Sequence, residues 1–80
     1  MMYNPPHPGE VFNELYLNPS GMTVEQMASS LVTAPTVLRL LINGDIEMTK
    51  NMAVKIGKHF GCSPKPWRKM QADYDWWQLR

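Results

Sequence analysis

Cysteine is almost absent from this chain, and its scarcity excludes two classes of protein. Among 80 residues there is a single cysteine, Cys62. One thiol cannot form an internal disulfide, so a small secreted fold held by disulfides is excluded. A cysteine-rich zinc site is excluded for the same reason. Because the remaining metal ligands, His7 and His59, form no pair at ligand spacing, we expect no metal site and no cofactor.

Long apolar runs are also lacking. The longest, at residues 37–42, is interrupted by Arg39, and it is far shorter than the roughly 20 residues that cross a membrane. Residues 1–6 contain neither a basic stretch nor an apolar stretch, so no signal peptide is recognisable. We therefore expect a cytoplasmic protein without a membrane partner.

The chain does contain enough apolar residues for one small core. Hydrophobic residues make up 44% of the sequence and charged residues 19%, a composition typical of a folded domain. A chain of this length buries about 60% of the surface that it exposes when unfolded. We predict one domain over residues 1–80, with residues 1–6 as a flexible N-terminal arm. The sequence shows no recognisable set of a nucleophile, a general base and a group that orients the base, so we predict no catalytic site and no enzyme.

Charge is divided unevenly along the chain. Residues 1–38 contain three glutamates and no Lys or Arg, whereas residues 39–80 contain all eight basic residues and four acids. The two parts therefore carry −3 and +4, although the whole chain carries only +1. This asymmetry favours an anionic partner for the second part. A solvated, lysine-rich helix face explains it equally well.

Residues that start and stop helices predict two helices in the first part of the chain. Strands are not predicted, because alternation of apolar and polar residues never persists. Pro8 favours the start of a helix that runs through Leu15 and ends before Pro19. Thr23, followed three residues later by Gln26, forms a capping box that opens a second helix.

Three more helices are predicted in the second part. Pro35 starts a third helix, which ends at Asn43-Gly44. Thr49 caps a fourth, which ends at Gly61, and Ser63-Pro64 opens a fifth. Two apolar stripes at helical spacing mark the inner faces of these last two helices. They consist of Met52, Ala53, Ile56 and Phe60 in the fourth helix, and of Trp67, Met70, Tyr74 and Trp77 in the fifth.

The end of the fifth helix carries a candidate interface. Trp76 lies off the apolar stripe, beside Leu79 near the chain end. Exposed aromatic and apolar residues are typical of a buried contact with another protein. We therefore predict Trp76, Trp77 and Leu79 as an interface with a second copy or a partner. The alternative is that Trp76 packs back on the arm, around Tyr3 and Pro5.

Six short motifs, spread over nearly the whole chain, carry a family resemblance. The most specific are His-Pro-Gly-Glu at 7–10, Ser-Pro-x-x-Trp at 63–67 and Gln-x-x-Tyr-Asp at 71–75. Between them are Thr-Val-Glu-Gln-Met-Ala at 23–28, Leu-Leu-Ile-Asn-Gly at 40–44 and Met-Thr-Lys-Asn-Met-Ala at 48–53. In this order and spacing they resemble the HigA (VapI) antitoxins, a branch of the phage-repressor-like helix-turn-helix superfamily. The second and third predicted helices fit that motif, with Ala28 where the two approach.

The resemblance implies both a fold and a function. It implies an all-α, five-helix lambda-repressor-like domain that acts by binding. Such proteins are homodimers that bind operator DNA in their own promoter and repress it. They also neutralise a RelE-type toxin, a ribosome-dependent mRNA endonuclease. A dimer places two recognition helices in successive major grooves of a palindrome.

The predicted recognition helix departs from the family pattern. The family carries Gly-Val-Ser at the turn and Thr-Val-Ser-Arg-Leu-Leu in the helix. Here residues 32–34 read Val-Thr-Ala, and 36–41 read Thr-Val-Leu-Arg-Leu-Leu, as though displaced by one residue. We predict DNA contacts from Thr33, Thr36, Arg39, Asn43 and Lys50. A solvated position explains Arg39 equally well, and the rival function is a protein-interaction module that has lost sequence-specific DNA binding.

Overall fold

The computed structural model describes residues 4–79, which form five helices and no strand. Helix α1 covers residues 8–20 in three parts, Pro8–Phe12, a π-helical stretch Asn13–Leu17, and Asn18–Ser20. The others are α2 (Val24–Ser30), α3 (Pro35–Ile42), α4 (Lys50–Phe60) and α5 (Lys65–Gln78). The predicted all-α, five-helix fold is confirmed.

The predicted helix starts follow from local hydrogen bonds. In the capping box of α2, the Gln26 backbone N–H donates to Thr23 Oγ1 at 3.1 Å, and the Thr23 N–H donates to Gln26 Oε1 at 2.9 Å. Thr49 Oγ1 accepts the Met52 N–H at 3.2 Å at the start of α4. Both side chains satisfy N–H groups that a helix start leaves unpaired.

The prediction that α1 ends before Pro19 is wrong. A proline ring clashes with the carbonyl four residues earlier in an α-helix, and it provides no N–H. The π-helical stretch before Pro19 widens the turn, so that the Asn18 N–H donates to the Asn13 carbonyl, five residues back. The helix therefore continues to Ser20 and ends at Gly21, whose φ of 71° suits glycine.

The predicted ends of α3 and α4 are correct to within a residue. After α3, Gly44 has a φ of 80°. Its N–H donates to the Leu41 carbonyl at 3.0 Å, and the Asp45 N–H donates to the Leu40 carbonyl at 2.9 Å. These two bonds form a Schellman motif that closes the helix. Helix α5 begins at Lys65, one residue after the predicted proline.

One apolar core lies between the helices. Helix α3 packs against both α1 and α2, and α5 packs against α1 and α4. Ala28 is fully buried, as the close approach of α2 and α3 requires. An aromatic cluster joins α1, α4 and α5, with ring centroids 4.5 to 6.2 Å apart. Its members are Phe12, Tyr16, Phe60 and Trp67.

The predicted inner stripe of α5 is only partly correct. Trp67 is buried, whereas the other three predicted positions are half-buried. The second buried residue of α5 is instead polar, Gln71. Gln71 Oε1 accepts the buried Met48 N–H at 2.6 Å, and its Nε2 donates to Asp75 Oδ1 at 2.8 Å. Arg68 Nη1 donates to the Met48 carbonyl, so α5 satisfies both backbone polar groups of Met48.

The two ends of the family motif meet in space. His7 is buried, and its Nδ1 accepts the Gly9 N–H at 2.9 Å at the start of α1. The His7 ring lies edge-on to Tyr74 of α5, with centroids 4.9 Å apart. The His-Pro-Gly-Glu and Gln-x-x-Tyr-Asp motifs therefore join the first and last helices, and these contacts give them a structural role.

Candidate nucleic-acid interface

The turn between α2 and α3 has a left-handed residue that is not glycine. Val32 has a φ of 57°, a conformation that a β-branched side chain rarely adopts. The Thr33 N–H donates to the Ala28 carbonyl at 2.9 Å. Lys55 Nζ of α4 donates to the Val32 carbonyl at 2.8 Å. These bonds hold the turn closed on the core.

Two turn residues depart from the family's Gly-Val-Ser at positions with particular backbone requirements. Val32 adopts a conformation that favours glycine. Ala34 is the N-cap of α3 and provides no side-chain hydrogen bond, whereas a serine at an N-cap accepts one. The displacement of residues 36–41 by one position stays a prediction.

Restoring the family residues at the turn is expected to stabilise the protein. The Val32 side chain is 78% exposed, so Val32→Gly removes little packing and relieves a strain of about 1–2 kcal/mol. Glycine's extra chain entropy offsets roughly half of that gain. Ala34→Ser adds an N-cap bond that contributes about 1 kcal/mol.

Thermal unfolding followed by circular dichroism measures both effects, with about 4–8 °C expected per kcal/mol for a domain of this size. Val32→Ala is the matched control, because it keeps a Cβ at positive φ while removing the branch. It is expected to gain less than Val32→Gly. A melting temperature for Val32→Gly below that of the unmodified protein would contradict strain at this turn.

Helix α3 exposes one face, and that face is divided lengthwise. Its buried residues, Leu38 and Leu41, point into the core. Successive residues of an α-helix are rotated by about 100° around its axis. Viewed down the axis of α3, the exposed positions therefore form one continuous arc. The polar side of the arc carries Arg39, Asn43 and Thr36. The apolar side carries Leu40 and Val37, which are 37% and 36% exposed.

Arg39 forms an ion pair with a residue of the preceding helix. Its guanidinium donates to the carboxylate of Glu25, which lies in the first turn of α2. Both side chains are largely exposed, and an exposed ion pair contributes little to stability. Its effect is on position, because it turns Arg39 toward the N-terminus of α2. Glu25 was not among the predicted site residues, and a separation of 14 residues across two helices gives no sequence signal for it.

The structure brings together some of the predicted DNA-contacting residues. Thr36, Arg39 and Asn43 share the exposed face of α3, and Thr33 is half-buried in the turn before it. Lys50 is exposed at the first residue of α4, on a separate helix.

The residues predicted as an interface at the end of α5 differ in exposure. Trp76 is 69% exposed, and Leu79 is also exposed. Trp77 is half-buried. Within residues 4–79, any packing of Trp76 on Pro5 leaves most of the indole uncovered. Tyr3, the other half of that alternative, lies outside the described residues.

Two other features bear on function. In the part of the chain from residue 4 to residue 79, no helix is long and apolar enough to span a membrane. Within the same range, no group of three or more His, Cys, Asp or Glu side chains is placed to hold a metal ion.

A capped helix, a tight left-handed turn and a second helix with an exposed, partly polar face define a helix-turn-helix domain of the phage-repressor kind. Comparison with known proteins agrees, although no family model matches the chain. Virulence-associated protein A of Dichelobacter nodosus is 34% identical over 74 residues, which are 91% of this chain and 72% of that protein.

Solved structures show the same relationship. An addiction module antidote protein of the HigA family from Coxiella burnetii is 30% identical, with a TM-score of 0.84 over 91% of this chain and 79% of that one. The Pseudomonas aeruginosa antitoxin HigA, solved with the higBA promoter, has the same fold at 21% identity, with a TM-score of 0.88 over 94% and 82%. This chain belongs to the HigA (VapI) family of helix-turn-helix antitoxins and regulators, which is not a family of enzymes.

The chain is shorter than its named relatives. It spans between 64% and 74% of the length of the curated relatives that it matches. Activities and partners of the whole relatives are therefore proposals for this chain.

Proposed function

We propose that the protein is an antitoxin-like repressor that binds operator DNA as a homodimer and neutralises a RelE-type mRNA endonuclease. The observation that carries the DNA-binding part is the exposed face of α3, with Arg39 beside Thr36. An α-helix fits the major groove of B-DNA, and an arginine fork pairs with guanine O6 and N7 or with a phosphate. A HigA antitoxin with the same fold, solved with the higBA promoter, supports DNA binding as the function.

Each predicted contact residue has a stated part in this proposal. Arg39 reads a guanine, and Thr36 bonds a neighbouring base edge. Thr33 and Asn43, at the two ends of α3, bond the DNA backbone or flanking bases. Lys50 contacts a phosphate, which fixes position without reading sequence.

Arg39→Ala is expected to weaken binding to the DNA upstream of the protein's own gene by about 10- to 100-fold, which corresponds to the loss of one arginine-guanine pair. Fluorescence anisotropy or gel shift with that duplex measures the change. Because Arg39 is exposed, the melting temperature of the variant is expected to stay near that of the unmodified protein. Unchanged affinity would remove Arg39 from the site.

Glu25→Gln is the matched control for Arg39→Ala. It breaks the same ion pair but keeps the guanidinium, and it also removes an acid beside the DNA. It is expected to bind at least as tightly as the unmodified protein. If both variants lose affinity equally, Arg39 acts through the ion pair and not through DNA.

A protein-interaction module is the second candidate, and one observation favours it. The exposed face of α3 includes Val37 and Leu40, and Arg39 is its only basic side chain. A salt titration with duplex DNA separates the two functions. A micromolar dissociation constant that rises steeply with salt concentration supports the repressor. A millimolar dissociation constant that does not change with salt concentration supports the interaction module.

The family resemblance and the exposed C-terminal residues support the homodimer and the toxin contact. We assign Trp76, Trp77 and Leu79 to one of these two interfaces. Light scattering at tens of micromolar tests the dimer, and a monomeric mass would contradict it. Co-expression with a RelE-like toxin encoded beside the gene tests neutralisation, which predicts restored growth and a co-purifying complex; a genomic neighbourhood without such a reading frame would contradict the antitoxin role. This function requires a cytoplasmic location, where bacterial operator DNA lies.

A further inference from the structure

We propose that α3 recognises thymine methyl groups in the major groove, next to the guanine contacted by Arg39. The operator half-site would then contain a guanine adjacent to one or two thymines. This inference rests on the proposed DNA-binding function and adds the base composition that the site selects.

The divided face of α3 is the first observation behind this inference. Arg39 and Asn43 line one side of the exposed arc, and Leu40 and Val37 line the other, with Thr36 between them. When such a helix enters the major groove, both sides of the arc meet base edges. The polar side pairs with hydrogen-bonding groups, so the apolar side requires an apolar surface.

The chemistry of the groove offers one such surface. All four bases present hydrogen-bonding groups there, and thymine alone adds a methyl group, at C5. Leucine or valine against a base donor or acceptor would remove water from it without replacing the hydrogen bond, which is unfavourable. Against a thymine methyl, the same side chains bury apolar surface on both partners.

The spacing of the two apolar residues fits adjacent base pairs. Val37 and Leu40 are three residues apart, so their Cα atoms are separated by about 4.5 Å along the helix axis. Successive bases on a DNA strand are about 3.4 Å apart. The two side chains therefore reach neighbouring base pairs, and Arg39, between them in sequence, reaches the guanine on the other side of the face.

The scarcity of charge on α3 makes these apolar contacts important for selectivity. Arg39 is its only cation and is already paired with Glu25. Phosphate contacts from elsewhere, such as Lys50, add affinity but carry no sequence information. Discrimination between sequences then depends on the polar contacts of Arg39 and its neutral neighbours and, to a large extent, on the fit of Val37 and Leu40.

Replacing thymine with deoxyuridine tests the inference directly, because it removes only the methyl group. The preferred site is first selected from random duplexes with the full chain. Each thymine of that site is then replaced by deoxyuridine, one at a time, and affinity is measured by anisotropy. Replacement of a thymine adjacent to the preferred guanine is expected to weaken binding about fourfold per methyl. Thymines outside the half-sites are expected to show no change.

Three variants make the test specific to α3. Leu40→Ala and Val37→Ala are each expected to bind the unmodified site more weakly and to lose sensitivity to one deoxyuridine replacement. Leu15→Ala removes an exposed leucine from α1 and is expected to keep full sensitivity. Melting temperatures close to that of the unmodified protein establish that the variants are folded.

The outcomes separate this inference from the function on which it rests. If the protein binds its selected site in a salt-dependent way but no deoxyuridine replacement changes the affinity, the thymine inference is overturned. The proposed repressor function is then still supported. Sensitivity that persists in both alanine variants of α3 also overturns it, because the methyl effect then arises in the DNA. Absence of salt-dependent binding to any duplex overturns the proposed function, and the inference with it.

Discussion

Gly9→Ala is expected to destabilise the protein by at least about 3 kcal/mol, a large part of the roughly 5–15 kcal/mol typical of a folded domain. A Cβ added at Gly9 would lie 1.8 Å from the Leu41 carbonyl oxygen of α3. That oxygen cannot move aside as a side chain does, because it accepts the Gly44 N–H in the motif that closes α3. Helix α1 must therefore move away from α3, which opens the core.

Thermal and denaturant unfolding measure this loss, and a melting temperature lower by roughly 12 °C or more is expected. Gly21→Ala is the matched control. Gly21 has a positive φ but no atom within 4 Å of an added Cβ, so only backbone strain of about 1 kcal/mol is expected there. Equal losses in the two variants would show that the close approach of α1 and α3 is not what Gly9 provides.

Gln71→Leu is expected to cost about 2–3 kcal/mol although it adds an apolar side chain of similar size. The substitution leaves the buried Met48 N–H without its acceptor, and an unpaired buried donor costs the full desolvation of that group. Asp75 loses the donated Nε2–H bond as well. Equilibrium denaturation measures the change in the free energy of unfolding.

Gln78→Leu makes the same chemical change on the same helix at an exposed position. It is expected to alter stability by less than about 0.5 kcal/mol. If Gln71→Leu proves neutral or stabilising, the loop before α4 is not held by this bond, and a structural role for the Gln-x-x-Tyr-Asp motif is contradicted.

The boundaries of most helices were predictable because their signals are local. The capping box at Thr23 and the turn at Asn43-Gly44 use atoms a few residues apart, and such interactions form wherever the chain permits. The end of α1 was not predictable. Pro19 is a helix breaker in isolation, and only the π-helical stretch before it allows α1 to continue to Ser20.

Two buried polar residues were missed for a different reason. His7 and Gln71 appear on the polar side of any hydropathy pattern, yet both are buried. Their partners, Tyr74 and Met48, are more than 20 residues away in sequence. The family motifs marked these residues as distinctive, but the contacts alone show that His7 joins α1 to α5 and that Gln71 joins α5 to the loop before α4.

At the candidate site, helical periodicity correctly placed Thr36, Arg39 and Asn43 on one exposed face. It could not show that Glu25 pairs with Arg39, because the crossing of α2 and α3 brings the two charges together. Nor could it show that Val32 adopts a left-handed φ at the turn, because a β-branched residue rarely adopts that conformation.

The number of helices, the helix-turn-helix motif and the family could be predicted from the sequence, because they depend on local propensities and on short motifs in a fixed order. The single cysteine likewise rules out a disulfide within these 80 residues. Which polar groups are buried, how closely Gly9 approaches Leu41, and how α3 divides into a polar and an apolar side became visible only in the packed fold. These features depend on distances between helices, which no local pattern specifies.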